Sequence, residues 1–155
     1  MNQKIIEALK IIYRELKNKK IKWVLVGSTS LALQGVKIKP KDIDILTNKE
    51  GAFEIGKLLE EYEVKPVEFK RAKIFESYFG QFEIENVKVE VMGNLKEKKN
   101  NKWISLAKRL TSSKIIKIEK MQIPVSSLSE QFKSYERLGR KKDFIRVKKI
   151  KEILR

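Results

Sequence analysis

Ile5, Ile6, Leu9, Ile12, Tyr13 and Leu16 recur at the spacing of one helical face, with Lys4, Glu7, Lys10 and Glu15 opposite them, which predicts an opening amphipathic helix. The run Ile21–Val26 reads as a buried strand that Gly27 ends. A short helix over Thr29–Gln34 follows, capped by Ser28 or Thr29 and stopped by Gly35, and Lys39-Pro40-Lys41 turns the chain into a strand over Asp42–Leu46. Thr47-Asn48-Lys49-Glu50 has the capping-box pattern, and Ala52, Ile55, Leu58, Leu59 and Tyr62 supply the apolar face of a second long helix. Strands are predicted over Val64–Phe69, Tyr78–Ile84 and Val87–Met92, the last two joined by a tight turn at Glu85-Asn86. The polar stretch Lys96–Lys102 reads as a loop. Ile115–Glu119 and Gln122–Val125 read as a hairpin at the sheet edge, where Pro124 is tolerated. Ser127-Leu128-Ser129-Glu130 caps a helix that Gly139 ends, and Phe144, Val147, Ile150, Ile153 and Leu154 mark a final helix.

These elements predict an α+β fold: a mixed sheet of about five or six strands flanked by helices, with a short helical pair at the C-terminus. With 155 residues, and no repeat or low-complexity linker, the expectation is one domain over 1–155, divided into a core at 1–95 and basic helices at 126–155. The longest apolar runs, such as Trp23-Val24-Leu25-Val26, are too short to span a bilayer and no signal-peptide core opens the chain, so a cytoplasmic location with no membrane partner is expected.

Composition narrows the chemistry. The chain has no cysteine and no histidine, which excludes disulfides, thiolate metal sites, His-ligated zinc and the Ser-His-Asp and Cys-His nucleophile systems. Catalysis would fall to carboxylates, lysines, arginines and hydroxyls, and oxygen-only ligands favour Mg2+ or Mn2+. The 36 Lys and Arg residues against 20 Asp and Glu give a net charge of +16, which attracts polyanions without specificity. From Lys133 onward the chain is strongly basic, so the tail presents a cationic helical face.

Within that frame Asp42 and Asp44 flank Ile43 on a predicted strand. Residues two apart share a face, so the two carboxylates project together with Cα atoms ~7 Å apart, at about 3.3 Å per residue. Alternation on the Val87–Met92 strand leaves Lys88, Glu90 and Met92 on the face opposite Val87, Val89 and Val91. Glu90 meets the aspartates if the two strands are neighbours. Three convergent carboxylates in so lysine-rich a chain call for a compensating cation, whereas a half-exposed strand alternating on its own needs none. Gly27-Ser28 closes the first strand. It is either an ordinary strand-to-helix turn or a phosphate cradle, in which the missing Cβ lets the backbone approach a triphosphate while Ser28 Oγ and the following N–H groups donate to it. No Walker loop is present.

Val26-Gly27-Ser28, thirteen residues, Asp42-Ile43-Asp44-Ile45 and later Val89-Glu90-Val91 together resemble the signature of the polymerase-β-type nucleotidyltransferase superfamily, and the resemblance covers roughly the first 95 residues. Leu33-Gln34-Gly35, Lys41–Ile45 and Tyr135–Asp143 further resemble small stand-alone prokaryotic members, including relatives of toxin–antitoxin and abortive-infection nucleotidyltransferases. The third carboxylate of active members is commonly aspartate, and here Glu90 has the longer arm. The resemblance implies Asp42, Asp44 and Glu90 as catalytic, metal-holding residues for two magnesium (or manganese) ions. It implies Gly27 and Ser28 at the triphosphate of ATP or another nucleoside triphosphate, and nucleotidyl transfer to an acceptor hydroxyl on RNA or protein. Lys41, Arg140 and Lys141 are further candidate triphosphate partners. Two other functions stand beside this one: an inactive module of the same fold binding RNA or a partner, and a toxin–antitoxin-type subunit that nucleotidylates its partner.

Overall fold

The computed structural model describes residues 1–154. Its spine is an eight-stranded sheet built from β1 (Trp23–Val26), β2 (Ile43–Thr47), β3 (Glu63–Arg71), β4 (Phe75–Ile84), β5 (Val87–Lys99), β6 (Lys102–Ser105), β7 (Ser113–Ile118) and β8 (Met121–Ser126). The order is β3-β4-β5-β2-β1-β8-β7, with β6 attached to the outer half of β5. Pairing is antiparallel except for β2 with β5 and β1 with β8, so the sheet is mixed.

The helices are α1 (Gln3–Leu16), α2 (Gly27–Leu33), α3 (Lys49–Leu58), α4 (Ala107–Thr111), α5 (Leu128–Leu138) and α6 (Lys141–Leu154), and a 3-10 turn spans Glu60–Tyr62. The apolar stripe of α1 does what its spacing predicts: Ile5, Leu9 and Ile12 pack with Ala52 and Ile55 of α3 on Leu25, Ile43, Ile45, Val89 and Val91 of the central strands. Val24, Val26, Leu46 and Leu95 face the other way and are covered by Leu106 and Leu110. A third cluster joins Leu31 of α2 to Leu128 and Tyr135 of α5 and Ile150 of α6. The central strands are thus apolar on both faces, which is why β1 reads as an unbroken apolar run.

The sheet is larger than the sequence pattern predicts, chiefly because Lys96–Lys102 is not a loop. β5 continues through Lys99 and turns at Asn100-Asn101, both at positive φ, into β6. The polarity is misleading because Glu97 points inward: it is buried and its charge is met by Arg137 Nε at 2.6 Å. The hairpin of β7 and β8 is as expected, but only β7 is an edge. Pro124 sits in β8, which touches β1 through Leu25 and Val125.

Two caps shift. Asn48, not Thr47, caps α3 by accepting from Gly51 N at 2.7 Å, while Thr47 stays in β2 and donates to Lys22 O. At α2 neither Ser28 nor Thr29 is the cap. The helix begins at Gly27, and Val26 precedes it without a side-chain capping bond. Ser127 does cap α5, and Gly139, at φ 61°, ends it in the left-handed conformation that favours glycine.

Candidate active site

Strand pairing brings the acidic positions together. In the parallel β2–β5 ladder Asp44 lies opposite Glu90, and across β1 the same row continues to Val26, the residue before Gly27. Neighbouring strands run about 4.8 Å apart, so the two carboxylates stand side by side on one sheet face. Ile43, Ile45, Val89 and Val91 are fully buried on the opposite face, as the alternation requires. Asp42, the first residue of the expected strand, enters instead from the loop one residue before β2.

All three carboxylates line a cavity of about 790 Å3, which also takes in Gly27, Ser28, Lys41 and Arg140. Lys141 is exposed at the start of α6 and is not part of the wall, whereas its neighbour Lys142 is. The helix turn brings Lys142 and Arg146 to the same side of α6, an i, i+4 pair. The cavity floor is the sheet, and α4, α5 and α6 supply the opposing wall.

Gly27 is needed for a reason its sequence context does not reveal. Its φ is +77°, and a Cβ there would come within 2.5 Å of Asp44 Oδ2. Its N–H is already committed to Gln131 Oε1 at 3.0 Å, so it is not a free phosphate donor. Ser28 Oγ accepts from Lys41 N at 3.1 Å and Thr29 Oγ1 donates to Asp42 O at 2.7 Å, which pins the loop carrying Asp42 to α2. Ser28 accepts in that bond and keeps its hydroxyl hydrogen to donate.

Burial, with Glu90 and then Asp42 adding repulsion, pushes the Asp44 carboxyl from 3.8 up to about 7. Asp42 leans instead toward Lys88, with Oδ2 and Nζ 3.6 Å apart. Among the described residues no three His, Cys, Asp or Glu side chains are already gathered to hold a metal ion. Three neighbouring carboxylates, one made harder to ionise by burial and then by the other two, are nevertheless an all-oxygen set whose charge a hard divalent cation would compensate, so the donor chemistry fits magnesium or manganese.

Gln131, in α5, is fully buried and joins four groups. Its Oε1 accepts from Gly27 N and from Tyr135 OH, and its Nε2 donates to Ser30 Oγ and Ser126 O. Sequence reasoning missed it, since a lone glutamine in an amphipathic helix carries no motif. It also missed Arg109, Lys142 and Arg146, which reach the cavity from short or late elements. Arg146 stands over the Tyr135 ring at 5.1 Å and Arg109 over the same ring at 5.8 Å. Burial raises the Tyr135 hydroxyl, while burial and then the charges of Arg140 and Arg146 lower the Lys142 ammonium. Arg140 is held by Asp143, Nε to Oδ2 at 2.6 Å and a second guanidinium nitrogen to Oδ1 at 3.1 Å.

Residues 8–150 match the family described as aminoglycoside-2''-adenylyltransferase. The chain belongs to that nucleotidyltransferase family. A Thermotoga maritima protein described as a "putative nucleotidyltransferase" is 35% identical, with 96% of this chain and 93% of that one covered and a TM-score of 0.86. The nucleotidyltransferase fold is shared with two antibiotic-modifying proteins at much lower identity. The crystal structure of ANT(2'')-Ia in complex with adenylyl-2''-tobramycin gives a TM-score of 0.61 at 10% identity, covering 100% and 91% of the two chains. The lincosamide antibiotic adenylyltransferase LnuA, with lincomycin bound, gives 0.62 at 14%, covering 99% and 98%. No curated protein sequence matches the chain. No helix among the described residues is long and apolar enough to cross a membrane.

Proposed function

We propose that this nucleotidyltransferase-family protein moves a nucleoside monophosphate from a nucleoside triphosphate, ATP in the first instance, to an acceptor hydroxyl. The supporting observation is the register of β2 against β5, which sets Asp44 beside Glu90 in a cavity bounded by Gly27, Ser28 and a cationic wall. Asp42 and Asp44 would hold two magnesium or manganese ions, with Glu90 joining them on the acceptor side. Such ions, when bound, lower the pKa of a hydroxyl and offset charge at a phosphoryl group.

The protein's own part is positional and electrostatic. The acceptor oxygen bonds to the α-phosphorus as the bridging oxygen to the β-phosphate departs, so pyrophosphate leaves and the hydroxyl proton passes to water in the cavity. Ser28 Oγ donates to the triphosphate, and Lys41 on the loop it anchors and Lys142 on α6 stand where they neutralise it. Arg140, fixed by Asp143, presents a guanidinium whose orientation is already set. Gln131 holds the Gly27 turn against Asp44, keeping the carboxylates and the turn in register.

The test incubates the protein with each labelled nucleoside triphosphate, magnesium or manganese, and total RNA or cell lysate, beside Asp42→Ala/Asp44→Ala. Label transferred by the wild type alone establishes the reaction and reveals the acceptor. No transfer together with no nucleotide binding by calorimetry refutes it, and leaves a module that holds RNA or a partner through its basic face. Label on one co-purifying protein would single out the partner-modifying form.

A further inference from the structure

The cavity wall carries more positive charge than nucleotidyl transfer needs. Eight cationic side chains line it against four carboxylates. Two of these are met from outside the wall, Arg140 by Asp143 and Glu76 by Arg71 at 2.9 Å, and those pairings cancel in the comparison. The two divalent ions and the triphosphate of the proposed reaction carry charges of similar size and opposite sign. Loading the site therefore leaves the cationic excess in place, in a recess where such charge is only partly screened.

One of these cations is built in rather than solvated. Arg109 is only 6% exposed, and among the described residues its Nε has no hydrogen-bond partner. Glu97, the carboxylate within its influence, is taken by Arg137. Burial accordingly lowers the Arg109 guanidinium's affinity for its proton. A buried guanidinium with an unused donor in a cavity wall is costly unless a ligand supplies the acceptor. Its planar fork suits a phosphate group.

Resting on the nucleotidyl-transfer reading, we infer that the acceptor is anionic, a hydroxyl compound bearing phosphate, and that Arg109 anchors that phosphate with Arg146, which shares the Tyr135 ring, beside it. A polyamine acceptor of the aminoglycoside kind would meet the same excess as repulsion. Two sources supply this chemistry, a small sugar phosphate or the end of an RNA strand.

The protein is loaded with magnesium and α,β-methylene-ATP, which cannot be cleaved at the reacting bond, and titrated by calorimetry with inorganic phosphate, ribose 5-phosphate, an RNA trinucleotide or tobramycin. The phosphate-bearing probes bind the loaded protein, and Arg109→Gln weakens them at least tenfold while changing affinity for the ATP analogue less than twofold. Tighter binding of the trinucleotide assigns the acceptor to RNA, and equal or tighter binding of ribose 5-phosphate assigns it to a small phosphate ester. Arg109→Lys keeps the charge and loses the fork; it weakens the probes at least threefold and serves alone if the glutamine variant does not fold. The inference is overturned if tobramycin binds the loaded protein better than every phosphate probe. It is equally overturned if the phosphates merely displace the ATP analogue, or if either Arg109 variant weakens the analogue as much as the probes. Failure of the wild type to bind the analogue is a separate result that refutes the nucleotidyl-transfer reading itself.

Discussion

Asp44→Asn should make the metal-free protein more stable, and by an amount that depends on pH. The folded state holds this carboxyl at about 7 against 3.8 for an unperturbed aspartate. If undamped, that difference corresponds to ~4 kcal/mol. Asp44 is half-buried and opens onto a cavity that water enters, so about half of that, ~2 kcal/mol, is the better expectation. The sign follows from linkage. The folded protein binds the Asp44 proton more tightly than the unfolded chain, so this group's stabilising contribution is intact below pH 4, falls as pH rises toward 7, and is flat above it. Asparagine has the shape of the protonated acid and never ionises. Urea unfolding in EDTA should therefore show the two proteins alike at pH 4 and the variant ahead by ~2 kcal/mol at pH 8, which in thermal unfolding is roughly 4–8 °C in Tm for a chain of this size. Saturating magnesium should close the gap by restoring the wild type. A variant less stable than wild type at pH 8 in EDTA, or a difference that does not change with pH, would show that burial and the neighbouring carboxylates do not disfavour the Asp44 charge as described.

The same geometry makes other substitutions informative. Gly27→Ala should cost more than ~2 kcal/mol, because an alanine at φ +77° is strained and its methyl strikes Asp44 Oδ2. Combining it with Asp44→Ala should recover part of the loss in a double-mutant cycle, and strict additivity would place the strain elsewhere. Gln131→Ala should destabilise by ~3 kcal/mol in chemical unfolding, since it leaves the Gly27 amide, the Ser30 and Tyr135 hydroxyls and the Ser126 carbonyl short of a partner; a loss under ~1 kcal/mol would mean water replaces it easily. Lys88→Met should free Asp42 and tighten Mn2+ binding a few-fold in calorimetry without nucleotide, whereas unchanged affinity would show that Lys88 swings aside at no cost.

The central strands and their acidic positions were legible because period-2 alternation carries both at once: Ile43 and Ile45 could be buried only if Asp42 and Asp44 faced away. Glu90 followed from the same rule on β5, although its pairing with β2 rests on non-local contacts that no local pattern encodes. The cationic wall was harder to read. Lys142 and Arg146 are two among many basic residues on α6, and nothing in their spacing separates a solvated lysine from one facing a cavity. Lys141 shows the cost of one residue's error, since neighbours on a helix point about 100° apart. Arg109 sits in a five-residue helix too short to show any periodicity. The outer half of β5, and β6 paired to it, were hidden because Glu97 breaks the apolar alternation, and only its pairing with Arg137, forty residues on, makes an inward glutamate acceptable.

Gln131 stitches the turn after β1 to a helix more than a hundred residues later in the chain. Swinging that helix outward as a hinged cover would pull Gln131 away from the Gly27 amide, the Ser30 hydroxyl and the Ser126 carbonyl in one stroke. Ligand traffic must therefore go through rearrangement of the long basic side chains at the rim, so turnover should follow the mobility of lysines and arginines more closely than any motion of the backbone.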